Sequence, residues 1–140
     1  MARGGLTALL ALALAQATPA PLAAQVNATA PATEGSAQRR AILDALRPTI
    51  VRELRSPVEF VVYRLAVENG WAALIVHPQR PGGGAIDGRH LPYFEDRDGL
   101  DIYAIMQFRG GRWVLRDHVI GATDIWWCGM YGLPASLLGC

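Results

Sequence analysis

Val58-Glu-Phe-Val-Val-Tyr-Arg-Leu-Ala-Val-Glu-Asn-Gly-Trp-Ala-Ala-Leu-Ile-Val76 decides the fold. Val58 to Val67 is dense in β-branched and aromatic residues, which fit a pleated, half-buried surface. Asn69-Gly70 follows, and both residues tolerate the positive φ that a two-residue hairpin turn requires. Trp71 to Val76 then reads as the returning strand. The spacing predicts a β-hairpin.

A second hairpin lies further along. Asp101-Ile-Tyr-Ala-Ile-Met-Gln-Phe108 and Trp113-Val-Leu-Arg-Asp-His-Val-Ile120 flank a turn at Gly110-Gly111. Ile102, Ala104, Met106 and Phe108 fall on one face, and Trp113, Leu115 and Val119 are expected to share one. His118 falls with Arg112 and Arg116, which reads as a solvated side. Such alternation implies one buried and one wet face of a sheet.

The cover for the buried face lies upstream. Ser36 can cap a helix from Ala37 toward Leu54, with Ile42, Leu43, Leu46, Ile50 and Leu54 on one stripe. Arg39, Arg40, Asp44, Arg47, Arg52 and Glu53 take the outer side. Pro48 either kinks this helix or begins a second short one. Residues 36–140 therefore read as a single α+β domain: one N-terminal helix on a four-stranded antiparallel sheet, with a long loop between two hairpins.

Residues 1–24 have a different character. Arg3 precedes Leu6-Thr-Ala-Leu-Leu-Ala-Leu-Ala-Leu14-Ala15, a run of roughly 15 Å as a helix, about half a bilayer core. Pro19 and Pro21 end it, and small residues continue through Ala24. That order of charge, apolar run and small residues is a signal peptide. Cleavage is expected after Ala24, with Val26-Asn27-Ala28 as a second site; a membrane anchor is the other reading, and the run is short for it. Residues 25–35 read as a flexible leader. Asn27-Ala28-Thr29 fits a glycosylation sequon, which carries little weight here.

Composition limits the chemistry. The chain is 51% hydrophobic with net charge +1, too apolar and too neutral for a disordered protein or a phosphate-tracking nucleic-acid binder. All 13 basic residues are Arg, which excludes Schiff-base lysines, P-loop lysines and Ser–Lys dyads. Arg3 leaves with the signal, so the remaining chain is formally neutral. No membrane association is expected after cleavage.

Cys128 and Cys140 are the two cysteines, and an even count in an oxidising compartment favours a disulfide over two reduced thiols. The tail they bracket, Gly121 to Cys140, is apolar and glycine-rich, and is expected to wrap onto the sheet with a terminal turn from Pro134. His77, His90 and His118 lack metal-ligand spacing, so neither metal nor cofactor is implied. Asp87, Glu95, Asp96, Asp98 and Asp101 gather in and after the loop His77 to Gly99, a loop long enough to suggest function or a disordered insertion. Glu95-Asp-Arg-Asp-Gly99 lacks the order of an EF-hand.

Pro57-Val58-Glu59-Phe60-Val61-Val62, Gly70-Trp71-Ala72, Pro78-Gln79-Arg80-Pro81-Gly82-Gly83 and Gly110-Gly111-Arg112-Trp113-Val114, following a helix, carry a resemblance. Over residues 38 to 138 the chain resembles small exported proteobacterial proteins of unknown function, whose helix-plus-meander architecture is similar to the cystatin and NTF2-like folds. The resemblance transfers no catalytic residue. The chain has no Gln-x-Val-x-Gly hairpin of a cystatin inhibitor, and little material for the helical half of an NTF2-like enzyme.

Two function classes follow. The first is a non-catalytic exported domain that binds a small ligand or an envelope protein through the sheet's open face and the long loop. The second is a small hydrolase or isomerase with a His–carboxylate pocket under the 77–100 loop. His77, Asp87, Asp101, His118, Tyr93 and Tyr103 are the candidate pocket residues for either. The enzyme class requires a His and a carboxylate within hydrogen-bond reach in a concave site.

Overall fold

A computed structural model describes Met1 and residues 36–140. The signal peptide, the leader and the sequon at Asn27 lie outside the described residues. From Ser36 the chain runs helix α1 (Ala37–Leu54), strands β1 (Glu59–Glu68), β2 (Trp71–Gln79), β3 (Ile102–Arg109) and β4 (Arg112–Ile120), then a short helix α2 (Ala135–Leu138). The four strands form one antiparallel sheet in the order β1-β2-β3-β4.

Helix α1 starts where the capping argument puts it. The Ser36 side chain accepts the Arg39 N–H at 3.1 Å. The helix continues through Pro48, which is exposed, so the ring costs one backbone bond on the solvent side without ending the element. Ile42, Leu46, Ile50 and Leu54 recur every four residues and are fully buried against the sheet. Their partners are Leu65 and Val67 of β1, Ala72, Leu74 and Val76 of β2, Ile102, Ala104 and Met106 of β3, and Trp113 and Ile120 of β4.

Both hairpin turns have positive φ at their two central residues, Asn69 and Gly70 in one and Gly110 and Gly111 in the other. That is the mirror-image turn whose twist matches the strands.

Each edge strand carries a β-bulge. In β1 the register slips between Val62 and Arg64, so Tyr63 is the extra residue. In β4, Met106 pairs with Leu115 and Ile105 with Asp117, leaving Arg116 over. One extra residue moves everything beyond it to the opposite face. Val119 therefore does not share a face with Trp113 and Leu115. His118, pairing with Ala104, turns toward α1 instead of joining Arg112 and Arg116 in solvent.

The second face is not left wet either. Ala73, Ile105 and Tyr103 are covered by Trp127, Leu137 and Leu138 of the C-terminal tail. Tyr103 stacks on Trp127 with ring centroids 4.0 Å apart, and Trp127 Nε1 donates to the Leu138 carbonyl. The Arg64 guanidinium donates to the carbonyls of Leu137 (2.5 Å) and Ser136 (2.7 Å), closing the end of α2. Cys128 and Cys140 meet at disulfide distance with their Cα atoms 6.0 Å apart, as expected, and fasten the tail. This pairing suits an oxidising compartment. Among the described residues no helix is long and apolar enough to cross a membrane.

The link between the hairpins is shorter and more ordered than the sequence suggests. β2 runs on through His77-Pro78-Gln79, where β3 no longer flanks it and a proline is tolerated. Ile86 and Leu91 from the link enter the core beside α1. Arg97 donates to the carbonyls of Pro92 and Ile120, and Asp98 N–H donates to Gly121. Gly121 has φ +65°, and a Cβ there would strike the Gly99 carbonyl and Arg97. Only glycine fits that crossing.

Candidate functional site

Two His–carboxylate pairs form, on opposite faces of the sheet. On the tail face, His77 Nδ1 donates to Asp101 Oδ1 at 2.7 Å. Both side chains are 40% exposed, and the neighbouring ring is Tyr63, with centroids 6.3 Å apart. On the helix face, His118 Nε2 lies 3.0 Å from both carboxylate oxygens of Glu53. A carboxylate only accepts, so Nε2 holds the proton and Nδ1 is the acceptor of the neutral ring.

The surroundings separate the pairs. His77 and Asp101 do not line the two cavities at the end of α1. Glu53 and His118 line an open cavity of about 620 Å³ between the C-terminal end of α1, the link and the end of β4. Arg52, Arg55 and Arg97 share that wall, as does His90. His90 Nε2 donates to the Glu53 backbone carbonyl at 2.9 Å and so closes one of the open carbonyls of the helix end.

A second open cavity of about 890 Å³ adjoins the first, and Arg55 and His90 belong to both. Arg80, Arg89 and Asp87 complete its charged lining. Arg89 grips Asp87 through side chain and backbone, at 2.7 to 3.2 Å. Those bonds hold the Asp87 carboxyl well below the usual carboxylate range and push the Arg89 guanidinium up. Asp87 is thus committed to charge pairing with Arg89.

Five arginines and two carboxylates line the two cavities together. Asp87 is paired with Arg89, and Glu53 is hydrogen-bonded to His118. Arg52, Arg55 and Arg80 make no ion pair with another described residue, and Arg97 spends its donors on neutral carbonyls. The local backbone cannot absorb this charge fully. The α1 carbonyls of Val51 and Glu53 already accept from Ser56 N–H and His90. The result is a cationic groove at the end of α1, on a domain that is otherwise close to neutral.

The structure thus brings His77 to Asp101 and His118 to Glu53, and keeps the two pairs apart. Asp87 sits in the groove but on Arg89. Tyr93 is 82% exposed, and Tyr103 lies flat under Trp127. Glu53, Arg52, Arg55 and Arg97 were not anticipated as site residues. A signal for Glu53 exists: it stands three residues after Ile50 and seven after Leu46, which places it beside the buried stripe. Among the described residues no three His, Cys, Asp or Glu side chains converge as a metal site. Comparison with protein families, curated proteins and solved structures finds nothing that matches this chain, so the groove's chemistry must speak through its own residues.

Proposed function

We propose that the protein is a small exported domain that binds an anionic ligand, without transforming it, in the groove at the end of α1. The observation that carries this reading is the set of arginines lining a concave surface without carboxylate partners, Arg52, Arg55 and Arg80. Unanswered cations in a cleft focus field lines and attract an anion, and Arg offers it a fork of donors. Export rests on the layout of residues 1–24 and accords with the Cys128–Cys140 pair. The likeness to small exported proteins of cystatin- or NTF2-like architecture belongs to the same reading. The tail occupies the middle of the face first expected to be open, so contact with a ligand shifts to the helix side, where the long link meets α1. Calorimetric titration with inorganic phosphate tests it: saturable heat, lost in Arg55→Gln and weakened by added salt, is expected. Absence of binding at low ionic strength would refute it.

One observation favours the enzyme as a second reading. The Glu53–His118 pair satisfies the requirement for a His and a carboxylate in reach within a concave site, with His118 Nδ1 as the base. Turnover of anionic esters that falls by about 100-fold in His118→Ala, with phosphate binding intact, would replace the binding reading with this one.

A further inference from the structure

The groove has two lobes, and each is cationic by itself. The larger holds Arg80, with Arg89 cancelled by Asp87; the smaller holds Arg52 and Arg97 against the single carboxylate of Glu53. Arg55 and His90 stand between and line both. At about 890 and 620 Å³, either lobe alone matches the volume of a small-molecule pocket, about 300–1,000 Å³. A single small anion can answer the charge of only one lobe. The other would keep its arginines unpaired beside Arg55, which lines both lobes. A ligand with anionic groups in both lobes neutralises both.

We propose that the natural ligand carries at least two anionic groups on one molecule, one held by Arg80 and Arg55 and the other by Arg52 and Arg55. This rests on the anion-binding reading above and adds to it the ligand's valency. The second group binds as an intramolecular event at a high effective concentration, so valency is worth more than the sum of two separate anions. Nothing in the groove selects the scaffold between the anionic groups. The class is a linear polyphosphate, a bisphosphate or a molecule of similar charge spacing.

The test uses the full chain, purified after export, titrated with phosphate, pyrophosphate and tripolyphosphate at fixed ionic strength. Affinity is expected to rise by about tenfold or more from phosphate to tripolyphosphate. Arg52→Gln and Arg80→Gln remove exposed side chains at opposite ends, so both variants should fold. Each is expected to weaken tripolyphosphate binding far more than phosphate binding, and so to erase most of that rise. Equal affinities for the three anions would overturn the two-group ligand and leave the anion site standing. So would a rise abolished by one variant and untouched by the other. Failure of all three anions to bind would overturn the anion site itself.

Discussion

The two faces of the sheet are covered by different means. On one, α1 supplies a stripe of four residues that needs nothing but its own spacing to find the sheet. On the other, the tail from Gly121 onward has little regular structure and is held by particular fasteners: the Trp127–Tyr103 stack, the Arg64 bonds to α2 and the Cys128–Cys140 link. Each face also carries one His–carboxylate pair. The pair on the helix face stands in a cationic cleft, and the pair on the tail face stands on open surface. The difference teaches that the dyad alone does not make a site. On the proposed reading, the concave wall and the arginines around it do.

Removing core volume beneath α1 should break the helix face first and hardest. Leu46→Ala is expected to cost about 2–5 kcal/mol, read as a shift in the urea midpoint with little change in slope. A shift below 1 kcal/mol would mean that α1 is not the main cover. Opening the tail face should cost less: Cys128→Ala with Cys140→Ala, or reduction, is expected to lower stability by roughly 3 kcal/mol. Tryptophan fluorescence from Trp126 and Trp127 should then move toward longer wavelength while far-ultraviolet circular dichroism stays near native. Loss of the helix signal in the same step would show that the two faces do not separate. Arg64→Met sharpens this further, leaving the Leu137 and Ser136 carbonyls without their donor, at an expected cost of about 1–3 kcal/mol. Faster hydrogen exchange should be confined to the tail.

The smallest effect belongs to the groove. Asp87 is held below the ordinary carboxylate range by Arg89, so its contribution is present above the unfolded carboxylate pKa of about 4 and is lost as pH falls. Asp87→Asn should therefore bring the melting temperature slightly below that of the parent at neutral pH, and the gap should close in strong acid. A gap that widens toward acid would contradict the assignment.

Much of this was legible from the residues. The helix stripe, its Ser36 cap, both hairpins and the paired cysteines follow from spacing and turn chemistry, because each is a local preference that the fold does not override. The bulges are what hid the site. Phe60 and Val62 face α1 from even positions, Leu65 and Val67 from odd ones, and Trp113 and Ile120 differ in parity too. No regular strand can bury both sets on one face, so the parity change itself was the readable sign of a slip at Tyr63 and Arg116. Without it, regular alternation puts His118 in solvent and its partner Glu53 on the outer side of the helix. The groove arginines are beyond reach for another reason: Arg52 comes from α1 and Arg80 and Arg97 from opposite ends of the link, and only the folded link brings them together.

The most direct test of the groove is a nuclear magnetic resonance titration with tripolyphosphate, following histidine ring and arginine Nε–H signals together. Shifts at His90, His118, Arg52, Arg55 and Arg80, with His77 unmoved, are the result expected of a cationic site on the helix face. Shifts centred on His77, or no shifts at saturating anion, would contradict it.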